Sequence, residues 1–500
     1  MYNYTAYRQP PAQHAFQFQP NFTFKATLLM IRYFWLLCIV TAQLVPALVT
    51  AAASPNIILL ISDDQRPDTI AALGNDIIQT PNLDSLVKHG TTFTRATCAN
   101  PLCVPARAEL LSGQTGFRNG VHPPNNKPDL THTTLAQALT GGGYNTYWVG
   151  KWMISGRPST RGFQESLGLF GSGKRPTEPQ YDAAGRIVTG YRGWMFQTDD
   201  RQLFPEQGVG LTPDIESKFA DAAIEFIKRK SDKPYFLQVN FTAPHDPLLN
   251  PPGWLDTYDA KNMPLPENFR GKHPFDHGNF SGRDELLNPW PRKKKDIQRD
   301  LATYYHVISY MDQQIGRIVD ALKQTDPELN NTIIIFTSDH GLALGSHGLM
   351  GKQNMYEHTI GIPLIFAGGN IPTGEKRSAQ CYLRDLYPTV CELAGVEVLP
   401  AVEATSLMPI LRNELSEVYP FIIGYFHDQQ RMIRMQNWKY IYYPAVQREQ
   451  LFHLGSDPYE IHDLASSKRA TNVKNQLREE MIVWLQNHGD PLFSGANSDK

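Results

Sequence analysis

Ile57-Ile58-Leu59-Leu60-Ile61-Ser62-Asp63-Asp64 decides the fold of this 500-residue chain. Five consecutive aliphatic residues, three of them β-branched, leave no polar face to turn toward water. They read as a strand buried on both faces, the habit of a parallel sheet covered by helices. The run stops at two adjacent acids. In an open α/β sheet, the carboxyl ends of the strands border the ligand crevice, so Asp63 and Asp64 fall at a candidate site.

Similar runs recur outward from there. Tyr144 to Val149 is a second strand, closed by Gly150-Lys151-Trp152-Met153. Tyr235 to Asn240 is a third and runs into Ala243-Pro244-His245-Asp246-Pro247. Ile333 to Thr337 is a fourth, followed by Ser338-Asp339-His340-Gly341, and Pro363 to Ala367 is a fifth. Helical spacing separates them over 135–139, 213–228 and 297–322. Strand–helix alternation predicts an α/β fold: a large, mostly parallel sheet flanked by helices. Residues 155–209 and 250–298 are rich in Gly and Pro and read as loop and insertion, a source of substrate contacts. After residue 400 the texture changes to short strand-like runs at 419–425, 430–435, 439–443 and 450–453, then a helix at 472–487. That pattern predicts a smaller antiparallel sheet with a helix. The expected organisation is a catalytic domain over 54–398 and a C-terminal subdomain over 399–500.

Charge is balanced, with 47 basic and 49 acidic residues, which gives no argument for nucleic acid, so no nucleic-acid partner is expected and any anion selectivity is local. The first 53 residues read as an extension and an export signal. Met30-Ile31-Arg32 precedes an apolar run, Tyr33 to Thr50, that ends in Ala51-Ala52-Ala53-Ser54. Gln43 and Pro46 interrupt the run, which favours cleavage near Ala53 over a membrane anchor and leaves no stable span afterwards. Residues 1–29 are unlike the start of a signal, so Met30 is the expected initiator. Export permits disulfides, yet only Cys98, Cys103, Cys381 and Cys391 follow the signal. Cys381 and Cys391 read as free thiols, with pairing as the alternative.

The chemistry centres on Pro101-Leu102-Cys103-Val104-Pro105-Ala106-Arg107, which leads through Leu111-Ser112 to Gly113. Proline suits a first helical turn, so Cys103 falls at a helix N-terminus, where anions bind and a thiol's pKa drops. The competing reading is a buried, inert cysteine. The rest of the chain decides between them. Asp63-Asp64, Lys151, His245 and Asp339-His340 all follow strands, and the ends of parallel strands share one edge. Three carboxylates and an imidazole in one place require a cation, and oxygen-rich ligands favour Ca²⁺ or Mg²⁺. Arg107, Lys151 and Lys352 beside that cation suit a compact anionic group. The combination predicts hydrolysis of a sulfate or phosphate ester.

In these residues the chain resembles the type I sulfatases of the alkaline-phosphatase-like superfamily. Cys103-Val104-Pro105-Ala106-Arg107 with Leu111-Ser112-Gly113 matches the sulfatase signature. Pro55 to Asp64, Gly150-Lys151-Trp152, Ser338-Asp339-His340-Gly341 and Gly351-Lys352 match further blocks in order. Leu451-Phe452 through Asp457-Pro458-Tyr459-Glu460 to Leu464 is similar to the C-terminal strand and turn of many members, so the likeness spans residues 55–466. It implies that a formylglycine-generating enzyme converts Cys103 to Cα-formylglycine, whose hydrate attacks sulfur. It implies one Ca²⁺ held by Asp63, Asp64, Asp339 and His340 and touched by residue 103. Arg107 would orient the diol, Lys151 and Lys352 would neutralise sulfate oxygens, and His245 with Lys352 would assist the departing alcohol. The implied substrate is a sulfated small molecule or polysaccharide. Many members read Gly-Lys-Trp-His, where the histidine serves as a base; Met153 stands there in this chain and cannot take a proton. His122 and His132 are the conceivable substitutes. The alternatives are a phosphonate or phosphodiester hydrolase of the same superfamily and a non-catalytic binder of sulfated sugars.

Overall fold

A computed structural model describes residues 54–121, 133–174 and 178–494. The expected signal segment (1–53), His122 and His132 lie outside the described residues.

The opening apolar run forms β1 (Asn56–Ser62), the middle of the large sheet. Ile57, Leu59 and Ile61 face one core, and Ile58 and Leu60 face the other. All five are fully buried, so each contributes about 1.5–3 kcal/mol by burial, which fixes the strand end that carries Asp63. Parallel to β1 on either side run β7 (Tyr235–Asn240) and β8 (Thr332–Ser338), with Ile61 opposite Asn240 and Ser62 opposite Ser338. Beyond β7 lies β3 (Asn145–Lys151), also parallel.

The remaining strands are β2 (Gly90–Thr97), β4 (Glu165–Ser172), β5 (Trp194–Gln197), β6 (Leu203–Val209), β9 (Leu364–Gly368) and β10 (Glu375–Tyr382). The sheet order is β10-β2-β9-β8-β1-β7-β3-β4-β5-β6. It is mixed at both flanks. The fifth predicted strand, β9, runs antiparallel to both β8 and β2, and β5 runs antiparallel to β4 and β6.

The stretch expected to be loop over 155–209 contains β4, β5 and β6. Their sequences hide them. β4 is interrupted by glycines, and the outermost strand, β6, carries Pro205, Glu206, Gln207 and Gly208 and is largely solvent-facing. An edge strand has no two-sided apolar run to announce it.

Helices Ile215–Ile227 and Lys294–Thr325 cover one face. Cys103–Ser112 and Leu386–Ala394 cover the other. A second sheet follows, β11 (Phe421–Phe426), β12 (Gln430–Met435), β13 (Trp438–Tyr443) and β14 (Arg448–His453), antiparallel in that order. Helix Thr471–Asn487 packs on it through Leu477, Met481 and Leu485. Buried Arg434 and Lys439 reach from this sheet to Glu357, at 2.6 and 3.0 Å, just beyond the loop that carries Lys352. Cys98, Cys103, Cys381 and Cys391 are all free and buried. No helix of the described residues is long and apolar enough to cross a membrane.

Candidate active site

The run β8-β1-β7-β3 brings Asp339-His340, Asp63-Asp64, the His245 loop and Lys151 to one sheet edge. Two backbone features permit this crowding. Asp64 adopts a left-handed conformation, φ 71°, which short acidic side chains tolerate. Its N–H donates to Asp339 Oδ1 at 3.2 Å, and its carbonyl accepts from the Tyr304 hydroxyl at 2.6 Å. Gly150 has φ 91°, and a Cβ there would lie 2.0 Å from the Asn240 carbonyl oxygen. Only glycine lets the backbone before Lys151 approach β7 so closely.

Asp63 is a hub. Lys151 Nζ lies 2.5 Å from Oδ2, which also accepts from the Tyr191 hydroxyl. Cys103 Sγ lies 3.4 Å from Oδ1, and Arg107 Nη2 approaches the same oxygen at 3.8 Å. Arg107 also donates from Nε to Asp339 Oδ2 at 3.0 Å and from Nη1 to Asn240 Oδ1 at 2.8 Å. Asp64 receives Lys352 Nζ at 2.9 Å on both oxygens, with His340 Nδ1 at 3.3 Å and His245 Nε2 at 3.9 Å. His245 Nδ1 is 2.5 Å from the Asp246 carbonyl, and the Arg283 guanidinium grips the Asp246 carboxylate at 2.7 and 2.8 Å.

The expected low thiol pKa is not what this environment gives. Burial pushes the Cys103 thiol up, and the Asp63 carboxylate adds to the effect; Lys151 and Lys352 oppose it without overcoming it. The helix N-terminus is real, but it is outweighed. Unmodified Cys103 is therefore a poor thiolate nucleophile. Burial also works against ionised Asp63, yet the Lys151 and Arg107 charges hold its carboxyl well below the usual range. Asp64 goes the other way, raised by burial and by the neighbouring Asp63 and Asp339 charges, against Lys352. Burial lowers His245 well below its ordinary value, with Lys352 adding, and lowers His340 to about 4.

These residues fit a divalent cation. Asp63, Asp64, Cys103 and His340 each offer a ligand atom, all within 4.8 Å of one another. His340 Nε2 is buried without a hydrogen-bond partner, and the raised Asp64 carboxyl marks an excess of buried negative charge. Asp339 stands beside this group rather than within it. Its oxygens receive Arg107 and the N–H groups of Asp64 and His340, and Oδ1 lies 3.7 Å from His340 Nε2.

Above the cluster opens a cavity of about 360 Å³ lined by Cys103, Lys352, His245, Tyr191, Met153 and Arg283, among others. Lys151 and Arg107 lie buried beneath it. Both Gly/Pro-rich stretches reach the cavity, the first through Thr189 to Trp194 and the second through Arg283 and Asp284. Tyr191, Asn240 and Arg283 escape a reading of the sequence. Asn240 ends a buried strand, a position that signals it in retrospect; Tyr191 and Arg283 sit in aperiodic segments that carry no such mark.

The sulfatase family model matches residues 55–396, the whole span that supplies these side chains. The chain belongs to the sulfatase family. It is a sulfuric ester hydrolase by that membership. A second model, the C-terminal part of N-sulphoglucosamine sulphohydrolase, matches residues 345–487. The arylsulfatase of Clostridium perfringens is 28% identical over 471 residues, covering 88% of this sulfatase and 96% of its relative. The choline-sulfatase of Rhizobium meliloti is 29% identical over 444 residues, 83% of each chain. A structure solved with its substrate D-glucosamine-2-N,6-O-disulfate aligns with a TM-score of 0.71 at 23% identity, over 87% of this chain and 98% of that one. The phosphonate monoester hydrolase of Agrobacterium radiobacter gives 0.69 at 21% identity, over 87% and 96%. At those identities, the two structures establish the shared fold.

Proposed function

We propose that this sulfatase is an exported, Ca²⁺-dependent enzyme that cleaves sulfate esters of carbohydrates through a formylglycine made from Cys103. The observation that carries the reading is the buried convergence of Cys103 with Asp63, Asp64 and His340, ringed by Arg107, Lys151 and Lys352. An all-protein set rich in carboxylate oxygen suits a hard cation. Asp63, Asp64 and His340 would hold it, with Asp339 alongside and residue 103 touching it; the ion would supply Lewis acidity beside the reacting group. The modified residue 103 would supply an oxygen nucleophile where the unmodified thiol is a weak one.

The remaining roles belong to the chain's own side chains. Arg107, locked by Asp339 and Asn240, orients the group at position 103. Lys352 meets the sulfate oxygens at the cavity floor, and Lys151 keeps Asp63 ionised below it. His245 starts unprotonated, because burial and the Lys352 charge disfavour the imidazolium. An anionic ester against Lys352 offsets that charge, so His245 gains its proton with substrate in place and gives it to the departing alcohol.

The carbohydrate assignment draws on the neighbour solved with a disulfated glucosamine and on the match to the sulphohydrolase C-terminus. We also place a C-terminal subdomain at 399–500, with the second sheet as its body. The likeness to a phosphonate monoester hydrolase favours one alternative, hydrolysis of phosphonate or phosphate diesters in the same site.

Peptide mass spectrometry across Cys103, on protein exported by its own host, is the test. The aldehyde in place of the thiol, with sulfate esters turned over faster than phosphonate esters, is the expected result. An unmodified cysteine in active, natively matured protein overturns the formylglycine reading, and faster phosphonate cleavage overturns the substrate class.

A further inference from the structure

The loop that carries His245 leaves the carboxyl end of β7 and has no regular structure to hold it. A catalytic histidine must be fixed to within a fraction of an ångström, because a misplacement of about 1 Å can cost about 100-fold in rate. The side chain that fixes this loop comes from another element. Glu216 lies in the first turn of helix Ile215–Ile227 and is 3% exposed. Its Oε1 accepts from the Thr242 hydroxyl at 2.7 Å and from the Ala243 N–H at 2.8 Å.

Those two bonds feed the site in both directions. The Ala243 carbonyl accepts from the Asp63 N–H at 2.8 Å, so a single residue, Ala243, joins Glu216 to the Asp63 backbone. The Thr242 carbonyl accepts from the His245 N–H at 3.0 Å, closing the turn that presents the imidazole. Glu216 and His245 also line a common cavity of about 20 Å³, separate from the substrate cleft. Glu216 Oε2 has no hydrogen-bond partner among the described residues. A buried carboxylate with one oxygen bound and one unmet is costly to keep for packing alone.

We propose that Glu216 is a positioning residue for His245: it clamps Thr242 and Ala243 so that the imidazole meets the departing oxygen of the substrate. This rests on the sulfatase reading and on the assignment of His245 to the leaving group. Glu216 touches neither substrate nor reacting atoms. Its removal therefore acts through proton delivery to the alcohol. Lys352, which meets the sulfate oxygens, is held by Asp64 and stays in place.

The test is a leaving-group series of sulfate monoesters, from nitrophenyl to alkyl, on Glu216→Leu, Glu216→Gln, Thr242→Val and wild type. Wild-type turnover of the series checks the sulfatase reading separately. Good leaving groups need little acid assistance, whereas general-acid catalysis is worth about 100- to 10,000-fold for poor ones. Glu216→Leu is expected to lose about 10- to 100-fold in kcat on alkyl sulfates and less than about threefold on nitrophenyl sulfate, with KM little changed. Glu216→Gln keeps an acceptor for both donors and is expected to restore most of the rate. Thr242→Val removes one of the two bonds, remains isosteric, and is expected to show the same pattern in weaker form, which covers the case of a Leu variant that does not fold. Equal losses across the series overturn the proposal, as does a Gln variant as impaired as the Leu variant. So does additivity of Thr242→Val with His245→Ala on alkyl sulfates.

Discussion

Lys352 Nζ lies 2.9 Å from both carboxylate oxygens of Asp64, and both residues are buried. Each corrects the other's environment. Burial disfavours the ammonium, yet Asp64 raises the Lys352 pKa well above its ordinary value; Lys352 is in turn the strongest force opposing the rise of Asp64.

Removing the lysine leaves Asp64 among Asp63 and Asp339 with its nearest cation gone. Breaking one side of a buried ion pair costs about 3–5 kcal/mol. Lys352→Met should therefore destabilise chelator-treated protein by an amount in that range and calcium-saturated protein by clearly less. Its kcat on aryl sulfates should fall by about 100-fold or more, as for loss of a charge-stabilising donor. Urea titrations with chelator and with calcium make the comparison. Equal destabilisation in both would mean that the lysine and the cation do not share Asp64.

Calcium should bind with proton release. Asp63 is held ionised by Lys151 and Arg107 against its burial, but burial and two neighbouring carboxylates raise Asp64. A cation that takes Asp64 as a ligand displaces its proton, so affinity should weaken as pH falls toward acid. Calorimetry in buffers of different ionisation enthalpy reads the protons directly. Calcium at 100 times its Kd should stabilise the fold by about 2.7 kcal/mol. Asp64→Asn should abolish both the proton release and most of the stabilisation.

The candidate site residues Asp63, Asp64, Lys151, His245, Asp339 and His340 were legible because they lie at or just past the ends of strands buried on both faces. Ile57 to Ile61 fixed the place of Asp63 and Asp64, and Ile333 to Thr337 did the same for Asp339 and His340. Lys151 and His245 followed from β3 and β7 by the same reasoning. What stayed hidden obeys a different physics. β6 is an exposed edge, β4 is broken by Gly168 and Gly171, and β5 is only four residues long, so none shows a sustained apolar run. Tyr191 and Arg283 belong to loops whose path is set by tertiary contacts. The thiol expectation failed because the sequence shows the helix start at Cys103 but neither the burial of its thiol nor the Asp63 carboxylate 3.4 Å from its sulfur.

Acid should unfold this protein through its buried histidines. His277 is held unprotonated by burial, with His273 adding, and its pKa falls from 6.5 to about 3. His273 falls to about 4 for the same leading reason. The unfolded chain binds protons below pH 6.5 that the folded one refuses, so stability is full above that pH and declines toward the folded values. Between pH 6.5 and 4.5, one such histidine accounts for about 2–3 kcal/mol. His277→Phe should narrow the acid-induced drop in urea midpoint by roughly that amount while leaving turnover at neutral pH unchanged. An unaltered drop would assign acid sensitivity to the carboxylate–cation centre instead.

Met153 lines the cavity with Cys103 and Lys352 and is half-buried, so a side chain there faces the same space as position 103. Thioether sulfur cannot accept a proton from the reacting group, whereas an imidazole at that position can. A placed general base is worth about 100- to 10,000-fold when its step limits turnover. Met153→His should therefore raise kcat by about tenfold or more, with KM nearly constant, and add a limb to the pH–rate profile near the ordinary histidine pKa of about 6.5. Steady-state rates on one aryl sulfate from pH 5 to 9 suffice. An unchanged kcat would mean that another group already serves as the base. Alanine variants of His122 and His132 then identify it, because the group that serves is the one whose loss lowers kcat and whose loss Met153→His restores.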